Sequence, residues 1–182
     1  MGRPKPLLSW HGLPLVEYQM ASLVEADVAE VVVVLGHQQE MVAPHVKGNR
    51  VRWVPNPDYL QGKTTSIKTG LRSVASDAEG VLLLAVDQPR PPELIAAVMA
   101  THVEGRSLIT SPRRQGKGGH PLIFASSLIP ELLRITEEGE GIRQVFRAHS
   151  AEVNPVEVYD PIVTLDLNSP EEYEEAKAKY GA

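Results

Sequence analysis

Two aspartates stand where short apolar runs give out. Asp87 follows Val81-Leu82-Leu83-Leu84-Ala85-Val86, and Asp166 stands in Leu165-Asp166-Leu167-Asn168. In open α/β sheets, ligands gather at the carboxyl ends of strands. Mg²⁺ is commonly held by one or two carboxylates together with substrate phosphates. A pair of strand-end aspartates therefore fits metal-assisted phosphate chemistry. The competing reading is that each aspartate starts a turn or caps a helix. That reading suits Asp87 taken alone. It suits Asp166 less well, because Ser169 already supplies a cap beside it.

Three further groups carry chemistry. Asn56-Pro57-Asp58-Tyr59-Leu60-Gln61-Gly62 is a polar loop leading into Thr64-Thr65-Ser66. Backbone N–H groups at a helix start, with hydroxyls beside them, suit an anion or a ribose. An ordinary loop with Thr64 or Thr65 as the helix cap is the alternative. Arg113-Arg114-Gln115-Gly116-Lys117-Gly118-Gly119-His120 joins three cations to three glycines. Glycine permits close backbone approach and the cations favour an anion. An exposed hairpin with solvated charges accounts for the same residues. Pro121 holds the His120 backbone extended, and His120 either donates to a phosphate or secures the loop. Lys5 lies between two prolines at the chain start, where a lone lysine is commonly solvated.

These residues need a scaffold. Val31-Val32-Val33-Val34-Leu35 and the run from Val81 to Val86 are uniformly apolar and short, as buried parallel strands are. Further strands are expected at 51–54, 107–110, 121–124, 162–165 and 153–158, the last at an edge because of Pro155. Helices are expected at 14–26, 65–74 and 92–102, around Ile129 to Leu133, and after Ser169. The last has an N-cap serine, Pro170 at its first position and Glu172 completing a capping box. Strands alternating with helices argue for an α/β fold with a mostly parallel sheet. One irregularity is that the helix from Pro14 has no strand before it.

Composition narrows the classes. The 182 residues suit one domain, 1–182, with a real core. Hydrophobic residues make up 42% and charged residues 23%, ordinary for a globular chain. The net charge of -5 argues against a nucleic-acid partner. Cysteine is absent, which excludes disulfides and thiolate metal sites. No apolar stretch approaches the roughly 20 residues of a membrane span, and the first residues carry no secretory signal. No membrane association and a cytoplasmic location are expected.

Taken in order, the motifs resemble the molybdenum cofactor nucleotidyltransferase family, within the glycosyltransferase-A-like nucleotidyltransferases. Met1-Gly2-Arg3-Pro4-Lys5-Pro6-Leu7-Leu8 resembles the end of the family's nucleotide-binding signature. Gly12-Leu13-Pro14-Leu15 and Val33-Val34-Leu35-Gly36-His37 follow. Asn56 to Gly62 with Ser66 and Gly70 matches the second βα loop. Val86-Asp87-Gln88-Pro89 matches the metal-binding element, and Gly118-Gly119-His120-Pro121 the Gly-His-Pro element. Gly139-Glu140-Gly141-Ile142-Arg143 resembles Gly-Asp-x-Gly-x-Arg, and Leu165 to Tyr173 the closing Asp-x-Asp-Thr-Pro-Glu-Asp pattern. Gly-His-Pro and the Met-Gly-x-x-Lys-Pro-Leu-Leu form point to the cytidylyltransferase branch.

The resemblance implies a three-layer α/β/α, Rossmann-like fold with a mixed sheet, similar to nucleotide-diphospho-sugar transferases. The family's Leu-Ala-Ala-Gly-x-Ser-x-Arg segment stands ahead of Met-Gly, so a sheet without its first strand and a site without the phosphate loop are expected. The implied reaction is transfer of CMP from CTP to molybdopterin, releasing pyrophosphate, within molybdenum cofactor maturation. Lys5, Asp87 and Asp166 are the implied catalytic residues, with Mg²⁺ or Mn²⁺ on Asp87 and Asp166. Gly2, Lys5, Asn56, Gly62, Ser66 and Asp87 are implied to bind the nucleotide. Gln88, Pro89, Gly119, His120 and Arg143 are implied to face the molybdopterin-type acceptor. A molybdoenzyme or its maturation chaperone is a further implied partner. An enzyme acting on another phosphorylated acceptor, and a binding protein with impaired catalysis, are the alternatives.

Overall fold

The computed structural model describes residues 4–181. A 3-10 turn, Lys5–Leu7, leads into a small hairpin of β1 (Ser9–Trp10) and β2 (Leu13–Pro14), then α1 (Leu15–Glu25). Next come β3 (Val31–Leu35), α2 (Gln39–Val42), β4 (Val51–Pro55), α3 (Lys63–Leu71) and β5 (Gly80–Leu83). They are followed by α4 (Pro92–Gly105), β6 (Ile109–Arg114), β7 (Lys117–Gly118), β8 (Leu122–Ala125), α5 (Ile129–Leu132) and α6 (Ile142–Ala148). The chain closes with β9 (Val153–Glu157) and α7 (Pro170–Tyr180). Among the described residues no helix is long and apolar enough to cross a membrane.

The strands form a mixed α/β arrangement in two parts. β3 and β4 pair in parallel. β5, β8, β6 and β7 form a second ladder, with β9 parallel on β6 at the edge, where Pro155 is tolerated. β5 and β6 both run against β8, so β5, β6 and β9 point the same way. Among the described residues no ladder joins β3 to β5. Yet both back onto one core. Val31 and Leu35 pack with Val16 and Met20 of α1 and Ile95 of α4, and Leu82 and Leu84 pack against that cluster. Apolar burial without a shared ladder joins the two halves.

Two expected strands changed. The run from Val81 to Val86 forms a strand only as far as Leu83. Its partner there is Leu122, and the next partner would be Pro121, which has no N–H to continue the ladder. Residues 162–165 are not a strand. Pro161–Thr164 is a 3-10 turn, started by Pro161 and capped by the Asp160 carboxylate, which accepts from Ile162 N at 2.9 Å. Local capping outweighs the β-branched character of that stretch.

The closing helix α7 has the expected cap. Ser169 Oγ accepts from Glu172 N at 3.1 Å, and the Glu172 carboxylate accepts from Ser169 N at 3.0 Å. It lies over the opening hairpin. Trp10, fully buried, packs with Leu15, Leu167, Tyr173 and Ala176, and Tyr173 Oη donates to Ser9 O at 2.7 Å. That packing brings the two ends of the described chain together. It carries Asp166 towards Lys5.

Candidate functional site

Lys5 is not a loose terminal lysine. The 3-10 turn holds it, and its Nζ stands 3.5 Å from Asp87 Oδ2, both side chains being partly exposed. Asp87 sits in the turn after β5, which Gln88 N closes by donating to Ala85 O at 3.0 Å. Leu167 N donates to the Asp87 carbonyl at 2.9 Å, so Asp166 is held beside that turn. The charges of Asp87 and Asp166 both act on Arg90 and on His120. Lys5, Asp87 and Asp166 thus converge on one edge.

Arg90 organises that edge. It is fully buried. Its Nε donates to His120 O, its Nη1 to Pro89 O and its Nη2 to Val163 O, each at 3.0 Å. One planar guanidinium thus ties the Asp87 turn to the His120 loop and to the 3-10 turn before Asp166. Burial pushes its pKa down to about 10, and Asp166 and Asp87 oppose that shift, so the group stays charged at neutral pH. Gln19 of α1 clamps the same turn, its Nε2 donating to Gln88 O at 2.9 Å and its Oε1 accepting from Arg90 N at 3.3 Å.

Gln88 and Pro89 are buried, and Gln88 Oε1 accepts from Ala85 N at 3.3 Å. Their side chains shape the turn. Gly119 lies where a Cβ would be 2.4 Å from Val163 O, so only glycine lets the His120 loop approach this closely. His120 N donates to that same carbonyl at 3.1 Å.

The start of α3 forms a second cluster. Asn56 is buried, and its Nδ2 donates to Thr65 Oγ1 and to Ser66 Oγ, both at 2.9 Å. Gly62 precedes the helix at φ +118, and a Cβ there would meet the Glu137 carboxylate. The helix cap expected from Thr64 or Thr65 comes instead from a distant residue. Glu137 Oε1 accepts from Thr64 N at 2.7 Å, which draws the Glu137 carboxyl below its ordinary pKa. A carboxylate thus occupies the donor-rich helix start.

Arg143 lines a cavity with Arg113 and Arg147. Gly2 lies outside the described residues. Among the described residues no group of three or more His, Asp or Glu side chains gathers as a metal cage. The two aspartates are an open donor set, suited to an ion that completes its shell with phosphate oxygens and water.

Residues 1–153 match the family described as the MobA-like NTP transferase domain. The chain belongs to that family. It is 39% identical over 140 residues, 70% of this chain, to a bifunctional IPC transferase and DIPP synthase of Rubrobacter xylanophilus, and that match spans only 31% of the relative's length. It is 27% identical to nicotine blue oxidoreductase of Paenarthrobacter nicotinovorans, covering 94% of this chain and 87% of the relative. It is 21% identical to molybdenum cofactor cytidylyltransferase of Escherichia coli, covering 99% and 90%. In fold it is similar to Rv0371c of Mycobacterium tuberculosis, with a TM-score of 0.83, 21% identity and coverage of 96% and 89%. The same protein has been solved as a complex with manganese, with a TM-score of 0.78 over 96% of this chain and 91% of that one at 21% identity.

The chain thus carries a MobA-like NTP transferase domain on an α/β fold. Three of its organising residues, Arg90, Gln19 and Glu137, escape a reading by sequence. Arg90 stands among prolines with no local pattern to mark it, and Glu137 lies 73 residues from the Thr64 N–H it caps. A signal for Arg90 exists only in retrospect, as a charge embedded between Asp87 and Pro91-Pro92.

Two histidines give the fold a pH dependence. Burial pushes His102 and His120 below the ordinary value of 6.5, and the Arg90 charge adds to the shift of His120. Each is neutral when folded and takes up a proton more readily when unfolded. Their contribution to stability is present above pH 6.5 and is lost as pH falls through their folded pKa values. Urea unfolding across a pH series is expected to show stability declining below about pH 6.5. His102→Gln should flatten that decline, and an unchanged slope would remove His102 as a cause.

Proposed function

We propose that this chain transfers CMP from CTP to a phosphorylated acceptor and releases pyrophosphate. The observation that carries this is the convergence of Lys5, Asp87 and Asp166, with Lys5 Nζ 3.5 Å from Asp87 and Leu167 N bonded to the Asp87 carbonyl. A terminal phosphate oxygen of the acceptor forms the new bond to the α-phosphorus of CTP. The bond from that phosphorus to the bridging β-oxygen breaks, and its electron pair leaves with pyrophosphate. An acceptor phosphate already ionised needs no general base.

Asp87 and Asp166 would hold Mg²⁺ or Mn²⁺, which supplies charge neutralisation at the phosphates. Lys5 offsets charge on the triphosphate. The resemblance implies that Asn56, Gly62 and Ser66 would lie on the nucleotide side, with buried Asn56 positioning the Ser66 hydroxyl through its Nδ2. His120, kept neutral by burial, and the close Gly119 backbone face the acceptor, with the Gln88–Pro89 turn supporting them. Molybdopterin is the acceptor favoured by the sequence motifs and by the similarity to the Escherichia coli cytidylyltransferase. The greater identity to the Rubrobacter transferase, 39%, favours a second reading with a different phosphorylated acceptor.

The test is pyrophosphate release with Mg²⁺, each of the four NTPs, and reduced molybdopterin or other phosphorylated acceptors. Release with CTP and molybdopterin is the expected result. Release with CTP and only another acceptor selects the second reading. Tight Mg²⁺-CTP binding with no release under any pairing would overturn the enzymatic reading and leave a binding protein.

A further inference from the structure

We infer that Glu137 is an autoinhibitory stopper, a carboxylate of this chain that occupies the nucleotide side of the site and leaves when a nucleotide enters. This inference rests on the nucleotide reading of Asn56, Gly62 and Ser66, and adds how entry to that side is regulated.

The first turn of α3 carries no anion of its own. It has no acidic residue and no side-chain cap, and Lys63 at its first position adds the charge that the helix dipole disfavours. The anion comes from another segment. Glu137 Oε1 accepts from Thr64 N at 2.7 Å, and the charges of Lys63 and Lys68 both act on that carboxyl. Gly62, at φ +118, leaves the space for it, since a Cβ there would overlap the carboxylate.

The contact is placed where a ligand would arrive, and it is built to open. Asn56 N donates to Leu35 O at 2.7 Å, so α3 starts beyond the carboxyl ends of β3 and β4, where ligands gather. The Lys63 charge acts on His120 as well as on Glu137, which puts the contact within electrostatic reach of the His120 loop. Glu137 is exposed, whereas Thr64 is buried. An exposed carboxylate is already hydrated, so its release needs no compensating partner. The turn that presents it is closed without α3. Gly139 N donates to Thr136 Oγ1 at 3.1 Å, Glu140 N to Glu137 O at 3.0 Å and Gly141 N to Thr136 O at 2.9 Å. The side chain can therefore swing aside while its backbone stays. Closed, it uses the Thr64 N–H and repels a triphosphate. Open, it frees that N–H and the charges of Lys63 and Lys68.

Calorimetry on the whole chain, with Mg²⁺ and each of the four NTPs, tests the stopper. A site open only part of the time binds more weakly in proportion, so Glu137→Ala is expected to tighten the preferred NTP about threefold to tenfold. Glu138→Gln, at the neighbouring exposed position, should not. Amide exchange at Thr64 should quicken in Glu137→Ala. A thermal melt checks folding, and Glu137→Gln, which keeps an oxygen for Thr64 N without the charge, carries the test if the alanine variant unfolds. Equal NTP affinity in wild type and Glu137→Ala would overturn the stopper and leave the nucleotide reading intact. Weaker binding by Glu137→Ala would also overturn it, because the carboxylate would then be helping to hold the nucleotide. Equal tightening by Glu138→Gln, or unchanged exchange at Thr64, would overturn it too. Binding by Glu137→Ala alone would uphold it, and no NTP binding by any variant would overturn both readings.

Discussion

Asp87→Asn is expected to lower turnover about a hundredfold to a thousandfold while leaving the fold almost as stable. Charge stabilisation around transferring phosphates contributes several kcal/mol, and each decade in rate corresponds to about 1.4 kcal/mol. The stability cost is small for a separate reason. Asp87 pairs with Lys5 across 3.5 Å with both side chains partly exposed, and pairs of that kind contribute about 0–1 kcal/mol. Its backbone bond from Leu167 survives the substitution, because the carbonyl is unchanged. Pyrophosphate release and urea unfolding measured on one preparation separate the two effects. A variant that kept full turnover would remove Asp87 from the chemistry. A variant that unfolded would instead make it structural. Asp166→Asn should behave alike, since it stands at the same edge without closing the turn.

Arg90→Ala is expected to show the opposite balance, with a loss of about 3 kcal/mol or more in folding stability. Its side chain donates to three carbonyls from three segments. Each buried acceptor left unpaired costs about 1–3 kcal/mol, and the emptied space adds to that. For a chain of this size such a loss lowers the melting temperature by about 6–12 °C. Arg90→Lys should recover little, because an ammonium is a point charge and cannot span three carbonyls with a planar fork. Arg134→Ala, on an exposed position, should stay within about 0.5 kcal/mol. Thermal melts of the three variants decide the matter. Equal melts for Arg90→Ala and Arg134→Ala would show that the 90–120–163 network carries no stability.

The two substitutions differ because the residues do. Asp87 stands partly exposed in the turn after β5, where a charge meets ligand or solvent. Arg90 faces inward, where its charge meets only backbone carbonyls and two carboxylates at longer range. Only Gln88 and Pro89 separate them in sequence, and no local pattern distinguishes their fates.

The elements of this chain were legible wherever a local rule governs them. The uniform apolar run of β3, the Pro155 edge strand β9 and the Ser169–Glu172 capping box of α7 follow from side-chain period, missing N–H groups and reciprocal caps. The ordered motifs placed the chain in its family, which its residues 1–153 match. Local rules failed where a partner far along the chain competes. Residues 162–165 read as a strand, yet the Val163 carbonyl is taken by Arg90 and His120, and Asp160 caps a 3-10 turn there. The expected threonine cap of α3 gave way to Glu137, which arrives from beyond β8.

By itself, then, the sequence determined the alternation of strands and helices, the family, and the aspartates, glycines and histidine of the candidate site. Only the tertiary structure decided that Lys5 meets Asp87, that Arg90 holds three segments together, that Glu137 fills the start of α3, and that Arg143 belongs with Arg113 and Arg147. The reason is physical. Caps, periods and turns are set by neighbours within a few residues, whereas a buried charge or an unpaired donor is settled by whichever distant group the packed core delivers to it.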